Sequence, residues 1–140
     1  MQDERYMEAC ESCKQAKDVA WNENLNDTTM INTAVIAGNA YFFAGRYSEA
    51  EAMYAEALEY AKQKVEDPAW TFDIMYGLVI VTEKTKNLEL QNTIAQEAIA
   101  YAQAAYGYPN DYLIELYRII SYYYSNKGNF NTGERYLQKA

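Results

Sequence analysis

Apolar positions along this chain recur at helical spacing, in stretches separated by short polar corners. Tyr47, Ala50, Tyr54, Ala57, Leu58 and Ala61 make one stripe. Upstream, Ala34, Ala37, Gly38 and Tyr41 make the facing stripe of a second helix, and the small residues Gly38 and Ala50 allow close backbone approach. Gly45 stands just past the first helix of this pair, where a left-handed residue suits a C-terminal cap. Asn26, Asp27 and Thr28 supply a helix start, and Asp67-Pro68 places a capping side chain before a proline at the first helical position. Pro109-Asn110-Asp111 offers the same punctuation. The pattern predicts helices over about 3–21, 29–44, 47–65, 69–85, 88–106, 110–127 and 130–140, with boundaries good to a few residues.

The stretches are copies of one another. Tyr6, Tyr47, Leu88 and Phe130 are spaced by 41, 41 and 42 residues, and so are Ala16, Ala57, Ala98 and Ala140. Ala9, Ala50, Gln91 and Gly133 follow the same ladder, as do Cys13, Tyr54, Ala95 and Leu137. Four columns with one period define a repeat of helix, tight turn and helix, whose units need neighbours to bury their faces.

The stretch GNAYFFAGRYSEAEAMYAEAL resembles a tetratricopeptide repeat (TPR), with Gly38, Tyr41, Gly45, Tyr47, Ala50, Tyr54 and Ala57 at the family's positions. MYGLVIVTEKTKNLELQNTIAQEAI keeps the hydrophobic frame and loses most glycines. YRIISYYYSNKGNFNTGERYLQKA recovers Tyr117, Tyr124, Gly128, Phe130, Leu137 and Ala140. The period exceeds the 34 residues of the standard unit. It resembles the longer variant typified by kinesin light chains and common in bacterial signalling and regulatory proteins. The resemblance spans essentially the whole chain and implies an all-α fold, an α-solenoid of about seven helices in antiparallel pairs winding as a right-handed superhelix. It divides a single domain into a second helix of a partial or capping repeat (1–28), a repeat (29–68), a degenerate repeat (69–109) and a truncated repeat (110–140). That phase implies an excised piece of a longer array, the alternative being a short protein with an N-terminal capping helix.

Composition narrows function by exclusion. The chain has 140 residues, enough for one domain with a real core, and half are hydrophobic. Its 12 basic and 20 acidic side chains leave a net charge of −8, which argues against nucleic acid and membrane surfaces as partners. Fifteen tyrosines suit helix surfaces that are half core and half binding face. No apolar run is long enough to span a membrane, and the N-terminus lacks the plan of a secretion signal, so a cytoplasmic location is the default expectation.

Candidate chemistry is sparse. Histidine is absent, which removes the commonest general base and metal ligand. Cys10 and Cys13 form a C-x-x-C without the second ligand pair of a zinc site or the βαβ context of a redox site. Cys13 shares a column with Tyr54, Ala95 and Leu137, so it is expected to be a small buried residue. Glu49, Glu51, Glu56 and Glu59 read as a solvated helix face rather than a catalytic pair. No phosphate loop and no basic stripe among aromatics appears. The chain is therefore expected to be no enzyme and to carry no cofactor and no metal.

In an array of this family the first helices line the concave wall, which implies a groove. Helical spacing places Asn32, Val35, Asn39, Phe42 and Phe43 there, then Asp73, Tyr76, Ile80, Glu83 and Lys84, then Glu115, Arg118, Tyr122, Ser125 and Asn126. Aromatic and apolar patches with amides suit a peptide or partner helix. The resemblance implies that Asn39, directly after Gly38, contacts a ligand backbone. The family's basic clamp for a terminal carboxylate is not expected, because its places hold Val35, Gly77, Glu115 and Ile119. The reading is a protein- or peptide-binding scaffold, whose partner can be another domain of its own parent protein or a second copy meeting an open solenoid end. The alternative is a ligand- or peptide-sensing segment of a bacterial signalling or transcription regulator.

Overall fold

The computed structural model describes residues 2–106 and 111–140. They form seven α-helices and no strand: α1 (Gln2–Asn22), α2 (Asp27–Phe43), α3 (Tyr47–Lys64), α4 (Pro68–Thr85), α5 (Leu88–Tyr106), α6 (Asp111–Asn126) and α7 (Phe130–Lys139). They group into two compact units, Met1–Glu66 with α1–α3 and Asp67–Ala140 with α4–α7. The expected Pro109-Asn110 punctuation lies outside the described residues.

In the first unit, α2 begins where Asn26 is extended and its Oδ1 accepts the Thr29 amide at 2.9 Å, satisfying one of the orphan donors of the first turn. The turn into α3 places Gly45 at φ +77°, a conformation in which a side chain would be strained. Helices α2 and α3 run antiparallel. Ile31, Ala34, Ala37 and Tyr41 are buried with Ala50, Met53, Tyr54, Ala57, Leu58 and Ala61. Gly38 is required by its neighbour, because a Cβ there would lie 3.0 Å from the Tyr54 ring. At the far end of the pair, the Tyr60 hydroxyl donates to Asp27 at 2.5 Å.

Helix α1 packs on α2 through Cys10 and Ala20, which are buried. The Trp21 indole donates to the Met30 carbonyl at 3.0 Å and its ring tilts against Tyr60. Lys17 is buried to its tip, where it pairs with Glu56 and lies over the Trp21 ring. Cys13 departs from expectation: it is half-buried, Ala9 and Ala16 are exposed, and the buried thiol is that of Cys10. The column that α3 turns towards α2 is turned away from α2 on α1, which contacts that helix along a neighbouring face.

The second unit starts with Asp67, whose Oδ1 accepts the Ala69 amide at 2.9 Å, and with Pro68 at the first helical position. Helices α4 and α5 bury Phe72, Met75, Leu78 and Val79 with Ile94, Ala95 and Ala98. One period on from Gly38 and Tyr54 stand Val79 and Ala95, so the large and small partners have exchanged helices. In the α6–α7 pair the small residue moves again. A Cβ on Gly133 would lie 2.6 Å from Ser125 Oγ and 2.9 Å from the Ser121 carbonyl oxygen, and Ser121 Oγ donates to the Gly133 carbonyl at 2.6 Å. Phe72, Tyr76, Tyr106 and Tyr112 form an aromatic cluster joining α4, α5 and α6, with ring centroids no more than 5.8 Å apart for the contacts between them.

Candidate functional site in the second unit

The C-terminal turn of α4, the start of α5, the length of α6 and Leu137 of α7 enclose a groove of about 620 Å³. Glu83 and Lys86 stand at one side. Lys86 adopts φ +61°, the left-handed cap of α4 taken by a lysine. Leu88 and Gln91 enter from α5, and Glu115, Arg118, Ile119, Tyr122 and Ser125 project from α6. The Tyr122 ring is 64% exposed and Leu137 is 56% exposed, so apolar surface is presented rather than buried. Arg118 pairs with Glu115 one turn earlier at 3.1 Å, which partly neutralises both charges.

Of the residues expected on the groove wall, Glu83, Glu115, Arg118, Tyr122 and Ser125 come together here. Ile80, Lys84 and Asn126 are exposed on α4 and α6 beside it. Tyr76 belongs to the aromatic cluster, where burial first, and then the Glu115 carboxylate and Tyr112, push its hydroxyl above the usual tyrosine range. Asp73 accepts the Tyr106 hydroxyl at 3.2 Å, closing the α4–α5 pair as Asp27 and Tyr60 close the first. The other expected residues all lie on α2 of the first unit. Asn32 is exposed, Val35 and Phe42 are half-buried, and Phe43 is 71% exposed with its edge against Phe42. Asn39 is exposed, yet its Oδ1 accepts the Tyr54 hydroxyl and is engaged within the unit.

Lys86, Leu88, Gln91, Ile119, Ser121 and Leu137 also line the groove and were not expected there. Leu88, Gln91 and Leu137 belong to repeat columns that read as packing positions. A signal was present, because Gln91 is the one long polar side chain in a column of Ala9, Ala50 and Gly133. It is buried, and its amide donates to the Val79 carbonyl at 3.3 Å, so only its edge meets the groove. The lining combines an exposed ring, aliphatic side chains, two acids and two cations, and contains no histidine or thiol. Such a lining offers apolar contact and hydrogen bonding and no nucleophile of the thiol or imidazole kind. Among the described residues no cluster of acids or thiols could hold a metal ion, and no helix is long and apolar enough to cross a membrane.

No protein-family model matches the sequence, and no curated protein matches it. Among solved structures, the crystal structure of BtubC (BKLC) from P. vanneervenii is similar, with a TM-score of 0.65 and 17% identity. The likeness covers 97% of this chain, which spans about half (54%) of BtubC. At that identity it shows the fold: an all-α, TPR-like helical repeat of the α-solenoid class.

Proposed function

We propose that this chain is a non-catalytic binding module whose second unit takes a segment of another protein, or of its own parent protein, into the groove beside α6. The observation that carries this reading is the convergence of Glu83, Glu115, Arg118, Tyr122 and Ser125 on one open groove of about 620 Å³. A half-solvated ring among aliphatic side chains is the composition of an interface anchor. The flanking opposite charges fix register more than affinity. The fold is of a scaffold type, and the 41–42-residue period supports the longer, kinesin-light-chain-like variant of the repeat. A cytoplasmic setting belongs to the same reading.

The first unit plays a smaller part in this proposal, because Asn39 is bonded to Tyr54. Affinity capture with the wild-type chain, Tyr122→Ala with Arg118→Ala, and Asn39→Ala tests it. The α6 double variant is expected to lose the captured partner while Asn39→Ala retains it. Retention by the α6 variant overturns the proposal.

A further inference from the structure

Helices α5 and α6 of the second unit also meet at both of their ends through side chains near the surface. The α4–α5 pair is joined where the Gln91 amide donates to the Val79 carbonyl, and the α6–α7 pair where Gly133 meets the Ser121 backbone. Between α5 and α6, the aromatic rings of Tyr106 and Tyr112 meet where α5 ends and α6 begins, at 5.4 Å between centroids. The opposite end is held by side chains on the surface. Glu89, in the first turn of α5, accepts the Tyr123 hydroxyl at 2.5 Å on one carboxylate oxygen and pairs with Lys127 at 2.8 Å through the other. The Lys127 ammonium also lies 5.6 Å from the Tyr123 ring centroid, and Gln96 donates to the Tyr124 hydroxyl at 3.3 Å. The Glu89 and Lys127 side chains are 68% and 58% exposed.

A ring contact therefore joins the two helices at one end and an ionic fastening at the other. The fastening alternates along the chain with the groove. Leu88 and Gln91 flank Glu89 on α5, and Tyr122 and Ser125 flank Tyr123 on α6. A change in the spacing of α5 and α6 at this end therefore moves both groove walls. We propose that Glu89, Tyr123 and Lys127 form an ionic latch that sets the aperture of the groove and opens it when the charges are screened or captured by an incoming partner. The inference rests on the groove reading above and supplies its regulation. An exposed ion pair is weak and sensitive to salt, which is what a releasable fastening needs. The three are positioning groups, which act through the spacing of α5 and α6.

The latch is tested without any occupant, so failure here is separate from failure of the binding proposal. Spin labels at Glu83→Cys on α4 and Tyr122→Cys on α6, in a Cys10→Ala, Cys13→Ala background, report the separation of the two walls. With wild-type Glu89 and Lys127 in low salt, one narrow distance distribution is expected. Glu89→Ala and Lys127→Ala should each broaden it or lengthen its mean by about 2 Å, the scale of helix shifts at interfaces. The double variant should add little to Glu89→Ala, which already removes both contacts, whereas Lys127→Ala leaves the Tyr123 bond to Glu89 in place and should have the smaller effect. Raising salt to about 1 M, where the screening length falls to about 3 Å, should move the unsubstituted latch in the same direction. An unchanged distribution in both single variants and in high salt, with helicity intact, overturns the proposal. Should Glu89→Ala lose helicity, Lys127→Ala and the salt series decide alone.

Discussion

The α2–α3 and α4–α5 pairs meet the same packing demand with opposite assignments. In the first unit α2 gives up its side chain at Gly38, and α3 lays the Tyr54 ring there. In the second, the corresponding positions hold a buried Val79 on α4 and a buried Ala95 on α5. The exchange leaves helix spacing to the sum of two side chains rather than to either one, as expected of an interior packed to crystal-like density. It also has a functional consequence. Tyr54 brings a hydroxyl that engages Asn39, whereas Ala95 brings none, and Ile80, one period on from Asn39, stays exposed without such a tie.

The exchange can be broken most sharply by undoing one half of it. Gly38→Val should cost about 3 kcal/mol by overpacking against the Tyr54 ring, the upper end of what inserted methyl groups cost a packed core. Adding Tyr54→Ala should restore more than half of that loss, since the double variant reproduces the Val79–Ala95 arrangement. Urea titrations of the four proteins of this cycle measure the coupling. Simple addition of the two losses would show that the spacing is not shared in this way.

Gly133→Ala is the corresponding break in the α6–α7 pair. Its new Cβ would meet Ser125 Oγ and the Ser121 carbonyl oxygen, one of them backbone that cannot swing aside. A loss of about 2 kcal/mol in the same titration is expected. Smaller still are the helix starts. Asn26→Ala in the first unit and Asp67→Ala in the second each remove an amide acceptor held at 2.9 Å, and each should cost about 1 kcal/mol.

Acid should act on the second unit at the joint between α5 and α6. Hydrogen bonds from Lys127 and then Tyr123 hold the Glu89 carboxyl below its ordinary value of 4.5. A lowered folded-state value means that the contribution is fully present above the unfolded value and is lost as pH falls through the folded one. Acid should therefore loosen the α5–α6 joint only below the usual carboxylate range. At the alkaline end, Tyr60 and Tyr123 are raised above 10.0, each chiefly by the hydrogen bond to its carboxylate partner. Their contribution is full below that value and is lost as pH rises through the higher folded one. Amide exchange of α6 against pH, compared between wild type and Glu89→Gln, checks the acid limb.

Much of the fold was legible. Seven helices, their ends at Asn26, Gly45 and Asp67-Pro68, and the buried stripes of α2 and α3 all follow from apolar spacing and capping chemistry. What periodicity does not encode is which face a helix turns to its neighbour. The column containing Cys13 is buried on α3 and α5, half-buried on α1 and exposed on α7, and the buried thiol is that of Cys10. The groove was half legible for a related reason. Exposed positions on α6 such as Tyr122 follow from helical spacing alone. Leu88 and Leu137 share columns with packing residues, and only side-chain size against the opposite helix decides whether such a position fills the interface or lines an opening. The bond from Tyr54 to Asn39 joins residues on different helices, beyond the reach of any single stripe.

On the proposed function, the second unit rather than α2 of the first carries the principal contact. A photo-crosslinking residue placed at position 122 in one protein and at position 39 in another tests this most directly. A defined crosslinked partner is expected from position 122, disappearing when Arg118→Glu is added, with little or none from position 39. Equal crosslinking from both positions, or a product from position 122 indifferent to Arg118→Glu, would contradict it.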